Sequence, residues 1–89
     1  MLNLAKKTAI VSGGSKGIGK AIAMKLSQAG ANVVICSRRK ENLDSAVIEA
    51  ESNGLTLIPI ECNTSNKESI QSVVDHTIEK FDKVDVLVN

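Results

Sequence analysis

An α/β fold built on a doubly wound parallel sheet is predicted by three features of this 89-residue chain. Short β-branched runs alternate with stretches of helical periodicity in the order β-α-β-α-β-α-β, which requires right-handed crossovers between parallel strands. A glycine-rich turn, Ser12-Gly13-Gly14-Ser15-Lys16-Gly17-Ile18-Gly19, joins the first apolar run to the first helical one. Pro59 stands in the third run, where it removes a ladder donor and so fits an outer strand. Together these predict the spatial strand order 3-2-1-4, with a ligand above the crevice between strands 1 and 4. The length fits one domain, residues 1–89.

Strand 1 is expected over Thr8–Val11, an apolar run of the kind buried on both faces. In the helix that follows, Ile18, Ile22, Leu26 and Ala29 share one face, expected to be inward, and Gly30 supplies the stop. Val33–Cys36 forms strand 2. The second helix carries Leu43, Val47 and Ala50 at helical spacing, Glu41 and Asp44 near its positive end, and Asn53-Gly54 at its finish. Leu55–Ile60 is the third strand. Ser65-Asn66-Lys67-Glu68 has the spacing of a capping box, with Ser65 as the expected cap. The helix it opens has an apolar stripe through Ile70, Val73, Val74, Ile78 and Phe81. After Asp82-Lys83, Val84–Val88 forms strand 4, an apolar parallel strand at an open edge.

Charge is divided unevenly. Residues 1–40 hold eight of the 11 Lys and Arg and no acid, and residues 41–89 hold all ten acids. The first half therefore favours anions. Nucleic acid is a poor fit, because one Phe and no Trp or Tyr leave little for bases to stack on. Cys36 and Cys62 lack any CxxC or Cys/His cluster, so buried free thiols and no metal site are expected. No apolar run suggests a signal peptide or a membrane span, and a soluble cytoplasmic protein is expected. His76, in mid-helix, has no expected role.

The glycine turn is the main candidate site. A helix N-terminus offers unpaired N–H groups and about half a positive charge, and glycines let a phosphate come close to the backbone. Gly14 to Lys20 would satisfy a Walker A loop, but Ala21 stands where a Mg²⁺-ligating hydroxyl is required, which disfavours an ATP- or GTP-binding domain. A strict GxGxxG also fails, since Ile22 occupies the third glycine position.

The pattern that fits is Gly-x-x-x-Gly-x-Gly at 13, 17 and 19, with a hydroxyl at Ser12. This resembles the TGxxxGxG cofactor turn of the short-chain dehydrogenase/reductase family. Ser37-Arg38-Arg39 is similar to the segment after strand 2 in NADP-dependent members. Cys62-Asn63-Thr64 is similar to the segment that packs near adenine, and Asp85-Val86-Leu87-Val88-Asn89 to the start of the NNAG strand. The resemblance implies a Rossmann-like fold with cofactor contacts from Ser12, Gly13, Ser15, Lys16, Gly17, Ile18 and Gly19 around the pyrophosphate and nearby ribose. It adds Asn63 and Thr64 near adenine and Asn89 near the adenosine ribose. Asn63 stands where Asp is usual, although reductases of fatty-acid synthesis also carry Asn there, and Asp82 stands where glycine is common.

The family's Ser, Tyr and Lys catalytic set, with its Y-x-x-x-K arrangement, lies beyond strand 4, and this chain has no tyrosine. The expectation is therefore an N-terminal cofactor half, truncated after strand 4 and catalytically incomplete, with no catalytic residue of its own. The intact parent would be an oxidoreductase acting on a carbonyl or alcohol, with a 3-oxoacyl thioester as one substrate class, and a homo-oligomer. A small non-catalytic nucleotide-binding or interaction module is the alternative. An acid about 20 residues beyond the glycines normally accepts the ribose hydroxyls of NAD. Here Ser37 takes that position, and Arg38, with Arg39 beside it and Lys16 opposite, can bind a 2′-phosphate. NADP(H) is thus expected in preference to NAD(H).

Overall fold

The computed structural model describes residues 3–63 and 65–89; the expected adenine-side residue Thr64 lies outside the described residues. Four strands, β1 (Thr8–Ser12), β2 (Asn32–Ser37), β3 (Ile58–Glu61) and β4 (Val86–Val88), alternate with three helices, α1 (Gly17–Gln28), α2 (Lys40–Ser52) and α3 (Lys67–Phe81). All strand pairs are parallel and the spatial order is β3-β2-β1-β4. Pro59 sits on the outer strand β3. This is the Rossmann-like arrangement the sequence predicts.

The alternating side chains of β1 and β2 divide two cores. Val11, Val33 and Ile35 meet Ala23 of α1 and Leu43, Ala46 and Ala50 of α2 on one face. Ile10, Val34 and Cys36 meet Val73 of α3 and Cys62 on the other. Both faces of the two central strands are therefore dry, which matches their uninterrupted apolar sequence. On the edge strand β4, Val86 and Leu87 are 38% and 50% exposed.

The first two helices end alike. Gly30 at φ +101° lets its own N–H bond to Ser27 O at 3.0 Å, and the N–H of Ala31 to Leu26 O at 3.1 Å. At the end of α2, Gly54 bonds Glu51 O at 3.0 Å and Leu55 bonds Ala50 O at 2.9 Å. Both are Schellman motifs closed by glycine, as the positions of Gly30 and Gly54 predict. Because the N–H of Leu55 is engaged there, β3 begins three residues later than the apolar run does. β4 is also shorter than expected, since Asp85 bonds Thr8 through both its backbone and its carboxylate and ends the regular ladder.

Two expectations fail. Ser65 is not the cap of α3. Asn66 is, with its Oδ1 accepting from the N–H of Glu68 at 2.9 Å and of Ser69 at 3.3 Å. Asn caps as well as Ser, and Ser65 is diverted into a local turn in which its hydroxyl and N–H both donate to Asn63 Oδ1, at 2.7 and 3.1 Å. Ile18 is not an inward residue of α1 either, being 82% exposed. The face of α1 that meets the core carries Ala23, with Met24 and Leu26 packed beside it, and Ile18 is not part of it.

Candidate functional site

β1 delivers the chain at Ser12 into the glycine turn, at the carboxyl end of the sheet. Gly13 and Gly17 have φ of +70° and +54°, a region that side chains disfavour. Gly14 and Gly19 are required by space. A Cβ on Gly14 would lie 2.6 Å from Ile35 Cγ2, and one on Gly19 would run into the Gly13 carbonyl oxygen. The turn is anchored by the N–H of Gly13 donating to Cys36 O at 2.9 Å and that of Gly14 to Val11 O at 3.3 Å. Gly14 is thus a structural part of the site that the spacing of 13, 17 and 19 does not single out.

The start of α1 has no side-chain cap, and its first turn contains no acid. The N–H groups of Gly17, Ile18 and Gly19 have no hydrogen-bond partner among the described residues. By contrast α3 is capped by Asn66. An uncapped helix start beside a glycine-rich turn suits an anion, which would supply the missing acceptors.

The second wall comes from the end of β2 and the start of α2. A depression of about 350 Å³ is lined by Gly13, Ser15, Lys16, Ser37, Arg38, Arg39 and Asn42. Ser37 Oγ accepts from the N–H of Arg39 at 3.3 Å and turns the chain there. Three lysines elsewhere are paired, Lys20 with Glu49 at 3.0 Å, Lys40 with Asp44 at 3.1 Å and Lys83 with Asp85 at 3.2 Å, while Lys6, Lys7, Lys25, Lys67 and Lys80 have no carboxylate partner among the described residues. Lys16, Arg38 and Arg39 have no carboxylate partner among the described residues, and no acid lines the depression. Asn42 was not expected from the sequence.

Arg38 also borders a second depression, of about 250 Å³, with Glu61, Cys62 and Asn63. There Asn63 Oδ1 is occupied by Ser65, and the Asn63 N–H donates to Ser69 Oγ at 2.9 Å. The side-chain Nδ2 has no acceptor among the described residues, and an amide can serve an acceptor on a base edge. Asn89 lies with Ser12, Cys36 and Leu87 along a narrow cleft between β1 and α3. Lys16, Ser15, Gly13, Ser37, Arg38 and Arg39 are thus brought around one depression, Asn63 joins Arg38 on its far side, and Ser12 and Asn89 meet at the crevice. Ile18 stands exposed on the first turn of α1, beside them in sequence but not in the depression.

Cys36 and Cys62 are free and buried. Burial, together with the neighbouring Cys62 thiol, pushes the Cys36 thiol up to about 12, while Ser12 acts in the opposite direction. A neutral, buried thiol is a poor nucleophile. No group of three metal-binding side chains and no helix long and apolar enough to cross a membrane occurs among the described residues.

A glycine turn at the carboxyl end of a doubly wound parallel sheet, opening on an uncapped helix, is the arrangement of a Rossmann-type fold. The short chain dehydrogenase family matches residues 7–89. The chain belongs to that family, whose members are oxidoreductases that bind an NAD(P) dinucleotide. It is 40% identical over 83 residues to tropinone reductase-like 3 of Erythroxylum coca, covering 93% of this chain and 32% of that protein. It is 38% identical over 88 residues to the 3-oxoacyl-acyl-carrier-protein reductase FabG of Thermotoga maritima, covering 99% and 36% respectively. Among solved structures, a citronellol catabolism dehydrogenase of Pseudomonas aeruginosa superposes with a TM-score of 0.92 at 29% identity, over 100% of this chain and 38% of that one. The chain spans about a third of the length of these curated relatives.

Proposed function

We propose that this chain is the cofactor-binding part of an NADP(H)-dependent oxidoreductase acting on a carbonyl or alcohol. The observation that carries the reading is the set of three cations, Lys16, Arg38 and Arg39, unpaired by any described carboxylate and gathered around an acid-free depression beside the glycine turn. In water an isolated basic cluster repels itself, and a phosphate dianion relieves that repulsion through charge-assisted bonds. A carboxylate at position 37 would instead favour the bare ribose of NAD, and Ser37 stands there.

The residues fit the dinucleotide along its length. The free N–H groups at the start of α1 and the turn Gly13–Gly19 receive the pyrophosphate, with Ser12 and Ser15 as hydroxyl donors. Arg38, Arg39 and Lys16 hold the 2′-phosphate, and Asn63 Nδ2 reaches the adenine edge. Asn89 supports the adenosine ribose from the end of β4. When bound, the nicotinamide carries the hydride. The chain contains no tyrosine, so the proton-transferring Tyr and Lys of the family pattern belong, in this reading, to a longer protein. Similarity to the FabG reductase supports a 3-oxoacyl thioester as the substrate class. A cytoplasmic homo-oligomer is the form proposed for that protein.

Calorimetric titration with NADPH and NADH tests the cofactor assignment. NADPH is expected to bind more tightly, and Arg38→Ala is expected to weaken NADPH by about tenfold or more while changing NADH little. Equal affinities in the wild type, or equal losses in the variant, would defeat the reading.

A further inference from the structure

Asn42 is the residue of α2 that lines the acid-free depression, together with Lys16, Arg38 and Arg39. Its backbone N–H is committed to Arg39 O at 3.1 Å, but its side-chain amide has no hydrogen-bond partner among the described residues. The side chains of Asn3, Asn53, Asn63 and Asn66 are each engaged by local backbone, whereas those of Asn32 and Asn89 share with Asn42 the lack of a partner among the described residues. Asn42 is half-buried, so its amide is only partly compensated by solvent. Its neighbours in the first turns of α2 include two acids, Glu41 and Asp44. Neither lines the depression, and Asp44 is held by Lys40 at 3.1 Å. The one α2 side chain that does face the basic cluster is therefore a neutral amide.

We propose that Asn42 is a specificity-determining residue for the adenosine 2′-phosphate, donating from its side-chain amide to a phosphate oxygen at the α2 edge of the Lys16–Arg38–Arg39 cluster. The inference rests on the NADP(H) reading above and adds to it a residue outside the glycine turn and the post-β2 arginines. An amide suits this position because it donates without bringing charge. A carboxylate of the same shape would repel the phosphate and would also draw the two arginines into ion pairs.

Adenosine 2′,5′-bisphosphate and adenosine 5′-monophosphate differ by the group in question, and titrating both into the full chain isolates it. The variants are Asn42→Asp, Asn42→Ala and Arg38→Ala, with far-UV circular dichroism to show that each keeps its helix content. Ala is a better helix former than Asn, so Asn42→Ala is not expected to disturb α2. Wild type is expected to prefer the bisphosphate. Asn42→Asp is expected to cut that preference about tenfold and Asn42→Ala several-fold, with 5′-monophosphate affinity unchanged in both. A preference that collapses in Arg38→Ala but survives intact in both Asn42 variants would overturn the role of Asn42 alone. Equal losses for the two nucleotides in the Asn42 variants would overturn it as well, since they mark a structural effect. A wild type that binds both alike would overturn the underlying cofactor reading.

Discussion

Asp85 and Thr8 are joined twice at the amino ends of β4 and β1: the Thr8 N–H donates to Asp85 Oδ2 at 2.8 Å, and the Asp85 N–H donates to Thr8 O at 2.8 Å. The carboxylate takes the place of a strand carbonyl, and Lys83 Nζ lies 3.2 Å from the same oxygen. The Thr8 N–H, followed by Lys83, holds the Asp85 carboxyl below the usual carboxylate range. A carboxyl whose value is lowered on folding stabilises the fold fully above its unfolded value, near 3.9, and loses that contribution as pH falls through the lower folded one. Asp85→Asn is therefore expected to be less stable than wild type at pH 7, with the gap closing as pH falls below about 4. Urea unfolding of both proteins across that range measures it, and a gap independent of pH would contradict the assignment.

Thr8 itself carries a fault. The residue is 1% exposed and its Oγ1 has no hydrogen-bond partner among the described residues. Thr8→Val keeps the branched shape and both backbone bonds to Asp85 while removing a desolvated hydroxyl. The expected gain is about 1 kcal/mol, read as a raised thermal midpoint. No gain would mean that the hydroxyl is satisfied in solution.

Asp82 ends α3 in the left-handed region, at φ +70°, where its side chain is strained and its negative charge faces the negative end of the helix. Asp82→Gly should relieve both terms and stabilise by roughly 0.5–1 kcal/mol, after allowing for the greater freedom of glycine in the unfolded chain. Asp82→Ala removes only the charge and should gain less. Thermal unfolding of the two variants in parallel separates strain from charge.

What was legible in the sequence was what depends on local chemistry. Gly30 and Gly54 mark helix ends because few other residues adopt their backbone angles cheaply, and the β-branched runs at Val33–Cys36 and Thr8–Val11 mark strands buried on both faces. What escaped depends on competition or on three-dimensional placement. Ser65 and Asn66 are both good caps, and only the turn at Asn63 decides between them. Ile18 matches the apolar stripe of α1 by spacing, yet the core is met further along the helix, at Ala23, Met24 and Leu26. Asn42 carries no motif, and its place in the site follows from how α2 lies against the glycine turn.

The cap assignment predicts an asymmetry. Asn66→Ala removes the acceptor for two N–H groups of α3 and should cost about 1 kcal/mol. Ser65→Ala removes only an exposed hydroxyl bonded to Asn63, and should stay within about 0.5 kcal/mol of wild type. Denaturant midpoints that reversed this order would restore Ser65 as the cap.

The glycine turn can be dissected the same way, because Gly17 and Gly19 are needed for different reasons. At Gly17 there is open space around the position of a Cβ, and only the φ of +54° resists a side chain. Gly17→Ala should therefore cost about 1–2 kcal/mol of backbone strain while leaving the shape of the turn intact. At Gly19 the obstacle is the Gly13 carbonyl, a backbone atom that cannot rotate aside. Gly19→Ala must push α1 away from the turn, which displaces the free N–H groups of residues 17–19 from the place where a pyrophosphate would sit. The expected result is a larger loss of NADPH affinity in Gly19→Ala than in Gly17→Ala, measured by titration after thermal unfolding has established that both variants fold. If the two lost affinity equally, strain rather than the close approach of α1 to Gly13 would be what the turn protects.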